Sequence, residues 1–431
     1  MRNSELCRLS SLAGLVSIVL LLSATCSPPL TESPSEADQI TVFEGGVVIV
    51  GDGSEPIEDA EFVVQNDQII HVGPKGAYEA PAGTERIDVS GKTLMPAIID
   101  AHKHAAVDRD ALTDQLQMMA YYGIGTIISL GHDAGDLAFQ VRDEPIPNAA
   151  RLLTAGRGIT SPEPGRSEVP YWITSEEQAR TAVQELVIKK VDLVKIWVDD
   201  RNGQFEKLSV NLYSAVIEEA HKNNLRVTAH IFALEDGIGL LRAGIDAFAH
   251  GVRDMDIDDE FVELIRERPN VFLVPNLPGR GVATDVSWLS ETLPLDEVER
   301  LQESSVDNTQ AQERFGIQAR NLVRLNNEGM RIAFGTDGTS PWAPHVELED
   351  MVAAGMTPAQ VIVAATRNSA EFLALNDVGT LEVGKKADFI VLNANPLEDI
   401  TNTRQIAEVY LRGVPVDRES LKTQWNEQAS Q

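Results

Sequence analysis

Cysteine is nearly absent from this chain of 431 residues. The two cysteines, Cys7 and Cys26, both lie within the first 26 residues. The rest of the chain therefore offers no cysteine nucleophile, no disulfide framework and no thiolate ligand for zinc. Any metal bound by the folded part must be held by histidine, by carboxylate or by a rarer ligand.

Basic residues are also scarce, with 36 Lys and Arg against 66 Asp and Glu and a formal net charge of -30. Nucleic acid is not an expected partner, because its recognition needs clustered Lys and Arg. The acidity is typical of a protein kept soluble in a salty or extracellular setting, and it does not indicate a fold. A small-molecule substrate is the expected partner, and assembly into a homo-oligomer remains open.

The leader lacks an apolar run long enough to span a membrane. Its run Leu12–Leu22 has 11 residues, whereas a spanning helix needs about 20. With Arg2 and Arg8 nearby, residues 1–26 are predicted to be an export signal. The segment Leu22-Ser-Ala-Thr-Cys26 resembles a bacterial lipoprotein cleavage site, after which Cys26 would carry a lipid tether to the membrane.

Simple secretion and an uncleaved anchor are the alternatives to lipidation of the leader. The predicted location is accordingly exported, either periplasmic or lipid-anchored in the bacterial envelope. Residues 27–39 follow the leader and are rich in Ser, Pro and Glu. This composition predicts a flexible linker.

Two ranges of short strand-like segments, 40–93 and 377–418, flank a long middle region. Gly, Asp and Pro separate these segments, and the pattern predicts one small β-sandwich domain built from both chain ends. Residues 94–376 instead alternate strands with helical patterns. The middle region has eight candidate strands: 94–104, 124–130, 151–154, 192–198, 225–230, 247–250, 271–274 and 331–337.

Eight alternating units predict an α/β fold of the (β/α)8 TIM-barrel type for the middle region. An open doubly wound sheet is the alternative architecture. The first strand is not followed by a glycine-rich phosphate loop, so nucleotide binding is not indicated.

Four of the eight histidines fall at the ends of predicted strands. His102 and His104 are two residues apart, so they point to the same side of a strand and can converge on a metal ion. A pair of surface histidines would give the same pattern. His230 and His250 each end an apolar strand, where a hydrogen-bonded core histidine is the alternative interpretation.

Two charged residues complete this set. Lys195 lies in the apolar strand Val191–Val198, where an ammonium is costly unless it is paired or modified. A salt bridge to Asp199 or Asp200 and carboxylation of the amine are the two explanations. Asp337 ends a strand and precedes Gly338, a position typical of catalytic carboxylates in barrels, although it could also cap the next helix.

Candidate substrate-binding residues lie on the loops at the strand ends, where an arginine could hold a substrate carboxylate. His132 and His345 are also expected near the mouth of the barrel. The candidates for substrate contact are Tyr171, Trp172, Trp197, Arg253, Arg280 and Trp342.

Residues 40–415 resemble the amidohydrolase superfamily, in the branch of Xaa-Pro dipeptidases and imidazolonepropionase-like proteins. The resemblance is carried by the first-strand motif 94–104, by Val194-Lys-Ile196, by Ala249-His-Gly251 and by Phe334-Gly-Thr-Asp-Gly338. The C-terminal run 379–391, Gly-Thr-Leu-Glu-Val-Gly-Lys-Lys-Ala-Asp-Phe-Ile-Val, adds to it.

The resemblance implies a site with two divalent metal ions, with Zn2+ as the expected metal. His102, His104 and Asp337 would hold one ion, His230 and His250 the other, and carboxylated Lys195 would bridge them. A hydroxide shared by the ions would attack, with Asp337 as general base and acid.

The expected reaction is hydrolysis of an amide C–N bond in a dipeptide or N-acyl amino acid. The alternatives are a lactone, carboxylic ester or phosphotriester cleaved at the same site. A deaminase and a non-catalytic barrel are the remaining candidates.

Overall fold

The computed structural model describes residues 39–429. The predicted export signal, Cys26 and residues 27–38 of the linker lie outside the described residues, and their assignments stay predictions. No helix within residues 39–429 is both long enough and apolar enough to cross a bilayer.

The described strands fall into one mixed sheet and two parallel sheets. In chain order they are β1 (Ile40–Val48), β2 (Ile57–Gln65), β3 (Gln68–Pro74), β4 (Glu85–Asp88), β5 (Thr93–Pro96), β6 (Ile98–Lys103), β7 (Ile124–Ser129), β8 (Arg151–Thr154), β9 (Ile159–Thr160), β10 (Tyr171–Trp172), β11 (Val194–Val198), β12 (Val227–Ile231), β13 (Ala247–Ala249), β14 (Phe272–Val274), β15 (Arg331–Ile332), β16 (Phe389–Leu392), β17 (Ile406–Leu411) and β18 (Val414–Pro415).

Most helices lie between the parallel strands. They are α1 (Arg109–Tyr121), α2 (Leu137–Arg142), α3 (Glu176–Lys189), α4 (Val210–Lys222), α5 (Leu234–Ala243), α6 (Asp259–Glu267), α7 (Leu295–Ser304), α8 (Thr309–Asn327), α9 (Ala343–Ala354), α10 (Pro358–Val363), α11 (Ser369–Phe372) and α12 (Arg418–Ala429). A π-helical turn, Ala364–Asn368, connects α10 to α11.

Strands from both ends of the chain share one sheet, in the order β18-β17-β16-β5-β1-β2-β3, with β4 paired to β1. Its apolar side includes Phe43, Phe62 and Phe389, whose ring centroids are 5.0 to 6.0 Å apart. Both chain ends contribute strands to this one hydrogen-bonded sheet, and its folding into a β-sandwich stays a prediction. Gly45, at φ +90, lets β1 continue through a bulge.

The strands of the middle region are all parallel to their neighbours. They lie in the orders β6-β7-β8 and β9-β11-β12-β13-β14-β15, with β10 beyond β9. The eight predicted strands correspond to β6–β8 and β11–β15, and the two-residue strands β9 and β10 are additional.

The Ala101 amide donates to the Phe334 carbonyl at 2.8 Å, which connects β6 to the segment after β15. The Asp192 amide donates to the Thr154 carbonyl at 3.0 Å, which connects β8 to the segment before β11. The region is therefore α/β, and hydrogen bonds join its two parallel sheets on both sides.

Two predicted strands differ in extent from the observed ones. The predicted strand 94–104 is two strands, because β5 pairs with β16 in the terminal sheet whereas β6 pairs with β7. The predicted strand 331–337 ends at Ile332 as a regular element. Its continuation still follows β6, since the Asp337 amide donates to the His102 carbonyl at 2.7 Å. This bond fixes Asp337 beside the first parallel strand.

Candidate metal centre

Three histidine side chains converge on the carboxylate of Asp337. Nε2 of His102 lies 3.1 Å and Nε2 of His104 lies 3.0 Å from Asp337 Oδ1, and Nε2 of His250 lies 3.3 Å from Oδ2. His102 belongs to β6, His104 follows it, and His250 follows β13 directly. His104 and Asp337 are 233 positions apart in the sequence, and they meet because parallel strands end at a common edge.

His102, His250 and Asp337 can each direct a ligand atom to one point. Their donor atoms lie within 4.8 Å of one another, which is close enough for one metal ion. His250 and Asp337 adopt positive φ angles of 141° and 51°. Such angles are uncommon for residues other than glycine and are concentrated at functional sites.

The protonation states of these side chains suit metal binding. Burial is the main reason that the pKa of His102 falls to about 4, and it also lowers the pKa of His250. For Asp337, burial opposes ionisation, but the charge and hydrogen bond of His102 and the hydrogen bond of His104 outweigh it and hold the pKa far below its ordinary value. Neutral imidazoles beside an ionised carboxylate are the donor set that divalent zinc prefers.

His230 is adjacent to this group but has different partners. Its ring centroid lies 4.6 Å from that of His250. Its Nε2, however, lies 3.0 Å from Asp199 Oδ2 and 3.1 Å from Arg201 Nη1. Burial, only partly offset by Asp199, lowers the pKa of His230 to about 3. His230 is therefore a neutral imidazole beside the donor cluster.

Lys195 is fully buried in β11, and its Nζ has no hydrogen-bond partner among the described residues. The salt bridge considered for Lys195 does not form, and Asp199 pairs with Arg201 at 2.6 Å instead. Burial is the main cause that lowers the pKa of Lys195 to about 7. An amine of this pKa is partly neutral at physiological pH, and the neutral form is the one that reacts with carbon dioxide.

The side chain of Lys103 points away from those of His102 and His104, as the alternation of side chains along a strand predicts. Lys103 is buried on the other side, where its Nζ donates to Thr336 Oγ1 at 3.1 Å and to the Ser340 carbonyl at 3.0 Å. Asp100 lies 3.8 Å from the same ammonium and accepts from the Thr336 hydroxyl at 2.7 Å. This buried group ties β6 to the segment that carries Asp337.

Two supporting residues were missed by the sequence reasoning. Asn276 Oδ1 lies 2.8 Å from His102 Nδ1, and its backbone has a positive φ of 45°. Glu347, buried in α9, accepts from the Leu277 amide at 3.0 Å and so fixes the backbone next to Asn276. Because the Asn276 oxygen accepts a hydrogen bond from Nδ1 of His102, Nε2 of the same ring is the atom free to bind a metal.

Three aromatic candidates for substrate contact, Tyr171, Trp172 and Trp197, lie on β10 and β11 and form what we call the aromatic wall. The Trp197 ring lies 5.1 Å from the ring of His132, and His132 lies 5.0 Å from His104. Tyr171 stacks under the Arg157 guanidinium at 4.0 Å, and Trp172 has a buried indole nitrogen without a partner among the described residues. His132 is therefore beside the site, as the sequence suggested.

Three further candidates have different surroundings. Arg280 is engaged by Asp350 at 2.7 Å and by Glu349 at 3.7 Å. Trp342 packs against the main apolar core at the start of α9. The guanidinium of Arg253 has no hydrogen bond or ion pair within the described residues.

The expectation that His345 lies near the mouth was wrong. His345 is fully buried in α9, and its ring nitrogens lie 3.0 Å from Thr403 Oγ1 and 2.9 Å from the Tyr122 carbonyl. Tyr122 directly follows the last residue of α1, and Thr403 lies in the short helical turn Ile400–Arg404 before β17. The helix therefore uses His345 to join α1 to the C-terminal segment.

The structure defines the class of the protein: it is an α/β protein with a candidate metal centre, in which imidazole and carboxylate groups gather where parallel strands end. The sequence model of the amidohydrolase family matches residues 93–416, so the chain belongs to that family.

The comparisons with individual proteins cover most of the chain. Ochratoxinase of Aspergillus niger is 27% identical over 444 residues, spanning 86% of this chain and 85% of the relative. Imidazolonepropionase of Deinococcus radiodurans is 27% identical over 395 residues, spanning 83% and 92%. A crystal structure of a Bifidobacterium longum protein assigned as a prolidase superposes with a TM-score of 0.73 at 28% identity, covering 90% of this chain and 99% of the other.

Proposed function

We propose that this protein is a metal-dependent hydrolase that cleaves an amide C–N bond of a small substrate, such as a dipeptide or an N-acyl amino acid. The observation that carries the proposal is the convergence of three histidine side chains on Asp337, with Lys195 buried and without a partner among the described residues. Membership of the amidohydrolase family and the names of the similar proteins support the bond type. We also propose that the eight parallel strands close into one (β/α)8 barrel, for which the hydrogen bonds between the two parallel sheets are the support.

We propose that two divalent ions occupy the centre. His102, His104 and Asp337 would hold one of them, His230 and His250 the other, and carboxylated Lys195 would bridge the two. The buried Nδ1 atoms of His104 and His250 have no partner in the described part of the chain, so each ring is held only by the contact of its Nε2 with Asp337. His230 would have to exchange its bond to Asp199 for the metal.

The ions would lower the pKa of a water molecule and polarise the scissile carbonyl. Asp337 lies at the mouth, with 35% of its side chain exposed, and its carboxylate can accept a proton from the attacking water. The same carboxyl group then donates the proton to the leaving nitrogen as the C–N bond breaks. The products are a carboxylic acid and an amine, so protons balance without another acid.

Asn276 and the aromatic wall have positioning roles in this scheme. Asn276 holds the ring of His102, so its Nε2 faces Asp337. Trp197 is wedged beside Lys195, with its ring 5.5 Å from the ammonium, and shields that side of the site from water. Shielding strengthens the electrostatic interactions on which the reaction depends.

The test is a substrate screen with the zinc-loaded protein, using dipeptides, N-acyl amino acids, carboxylic esters, lactones and phosphotriesters. We expect turnover of amides, a content of about two metal ions per chain and loss of turnover in Asp337→Asn. Exclusive turnover of esters or phosphotriesters would contradict the bond assignment. Near-normal amide turnover by Asp337→Asn would show that another group moves the proton.

A further inference from the structure

A cavity of about 390 Å³ lies between the end of α1, the 3-10 turn Ser287–Glu291 and the start of β17. Small-molecule sites in proteins usually have volumes of roughly 300 to 1,000 Å³. Tyr122, which lines the cavity, stands just before β7, whereas His102 and His104 lie where β6, the parallel neighbour of β7, ends. The cavity is therefore at the opposite end of the parallel strands from the metal centre.

Three aromatic rings line this cavity and contact one another. The ring centroids of Tyr121 and Tyr122 are 5.3 Å apart, and those of Tyr122 and Trp288 are 6.2 Å apart. Both tyrosines are buried, but Trp288 is only half-buried, so part of its indole faces the cavity. Such a lining favours a ligand that has a planar ring.

A guanidinium group packs on each end of this row of rings. The guanidinium of Arg418 lies 4.3 Å from the ring centroid of Tyr121, and that of Arg404 lies 4.4 Å from the ring of Trp288. Both arginines line the cavity. Nη1 of Arg418 donates at 3.0 Å to the carbonyl of Ile406, two residues after Arg404, so a hydrogen bond holds the two arginines close together. Two cations at one cavity attract an anion.

The hydrogen-bonding capacity of these arginines is only partly used. Arg418 donates to two backbone carbonyls and forms no ion pair with a carboxylate of the described residues. Arg404 pairs with Glu349, but its Nε is buried and has no hydrogen-bond partner among residues 39–429. A buried N–H group without a partner is uncommon in proteins. Glu291 is the one acidic residue among the described residues that line the cavity.

We propose that this cavity binds an aromatic carboxylate, a small organic anion with a planar ring. Its carboxylate accepts hydrogen bonds from Arg418 and from Nε of Arg404, because guanidinium N–H groups match carboxylate oxygens. Its ring packs on the part of Trp288 that faces the cavity. The inference goes beyond the proposed function, since a ligand at this distance from the metal centre is bound without being hydrolysed.

The test is calorimetry with the zinc-loaded protein and two aromatic acids, indole-3-acetate and phenylacetate. Indole-3-acetamide and phenylacetamide are matched compounds that lack the charge, and acetate lacks the ring. We expect dissociation constants of about 1 mM or below for the aromatic acids, as is usual for ligands of their size. The matched compounds should bind at least roughly tenfold more weakly. Equal affinity for an acid and its amide, or for acetate and the aromatic acids, would overturn the inference.

Four variants locate the bound acid. Arg418→Met and Trp288→Leu should each weaken binding by roughly tenfold, and Arg418→Lys should keep part of the affinity. Glu291→Gln removes the acidic group of the lining and should strengthen binding by about two- to fivefold. A loss of folding cannot produce such a gain, so unchanged or weaker binding by Glu291→Gln contradicts the inference.

Arg300→Met is the matched control, because Arg300 is 74% exposed on α7 and bears the same charge. It should leave the affinity unchanged, and circular dichroism melting shows whether each variant is folded. Asp337→Asn separates the cavity from the metal centre and should bind indole-3-acetate as the wild type does. Binding that is lost in Asp337→Asn but kept in folded Arg418→Met would place the acid at the metal centre and overturn the inference. Absence of measurable binding of both aromatic acids would overturn it as well.

Discussion

Replacing Gly158 by alanine should destabilise the wall of the site through Trp197. A methyl group at this position would lie 2.0 Å from Cζ3 and 2.6 Å from Cη2 of the Trp197 ring, and 3.1 Å from the Lys195 carbonyl. Carbon atoms in contact are separated by about 3.5 to 4.0 Å, so the ring would have to move by roughly 1.5 Å. The ring also abuts Gly131 and lies 5.1 Å from the ring of His132, which leaves it little room.

Overpacking of this kind costs about 1–3 kcal/mol in the free energy of unfolding. Equilibrium unfolding in urea measures it. Gly279→Ala is the control, because a methyl group there meets no atom within 4 Å, and its effect should stay within about 0.5 kcal/mol. A free energy of unfolding for Gly158→Ala equal to that of Gly279→Ala would show that the Trp197 ring does not resist the added methyl group.

A second comparison tests whether Trp197 is the cause. In Trp197→Leu the ring atoms Cζ3 and Cη2 are missing, so the methyl group that Gly158→Ala adds has space. In the Trp197→Leu background, Gly158→Ala should therefore lower the free energy of unfolding by less than about 1 kcal/mol. The difference from its effect in the wild type is the coupling energy between the two neighbouring residues. Strictly additive free energies would mean that the strain arises elsewhere, at the Lys195 carbonyl for example.

Three further predictions concern the donors. Complete removal of metal by a chelator should abolish hydrolysis and addition of Zn2+ should restore it; turnover by metal-free protein would contradict the mechanism. Asn276→Ala removes the acceptor of the His102 Nδ1–H hydrogen bond and should weaken metal affinity by about 10–100-fold. Competition with a chelating dye measures the affinity. Glu347→Gln keeps a side-chain acceptor for the Leu277 amide and should weaken metal affinity less than Asn276→Ala does. Lys195→Ala should lower the metal content from two ions to one, and the intact mass or a crystal structure of the wild type should show carboxylated Lys195; an unmodified amine with full metal content would exclude the bridging role.

The positions of the donors could be predicted because they follow from strand periodicity. An apolar strand that ends in a polar residue marks the edge where parallel strands finish, and this rule places His102, His230, His250 and Asp337 without knowledge of the rest. The family resemblance supplied the roles that we propose for them. His345 was misplaced on a different ground: it follows the strand-end loop after Asp337 in the sequence, but it is buried inside α9.

The partners of the donors could not be predicted in this way. Asn276 is 174 positions from His102, and Glu347 reaches Leu277 from a helix that is 70 positions further along the chain. No periodicity relates such residues, since their contacts depend on how loops turn after the strands end. Asn276 needs a positive φ to face His102, and a local sequence does not specify that angle for asparagine.

The arginines illustrate the same limit and show what the structure adds. Arg253 and Arg280 were equal candidates in the sequence, since both follow strands and both carry one positive charge. Their surroundings separate them: Arg280 forms ion pairs with Asp350 and Glu349, whereas Arg253 forms none with a described residue and feels the charges of Asp337 and Asp199 only from a greater distance. The sequence cannot separate the two arginines, because an ion pair depends on which acidic side chains the fold brings within reach of each guanidinium.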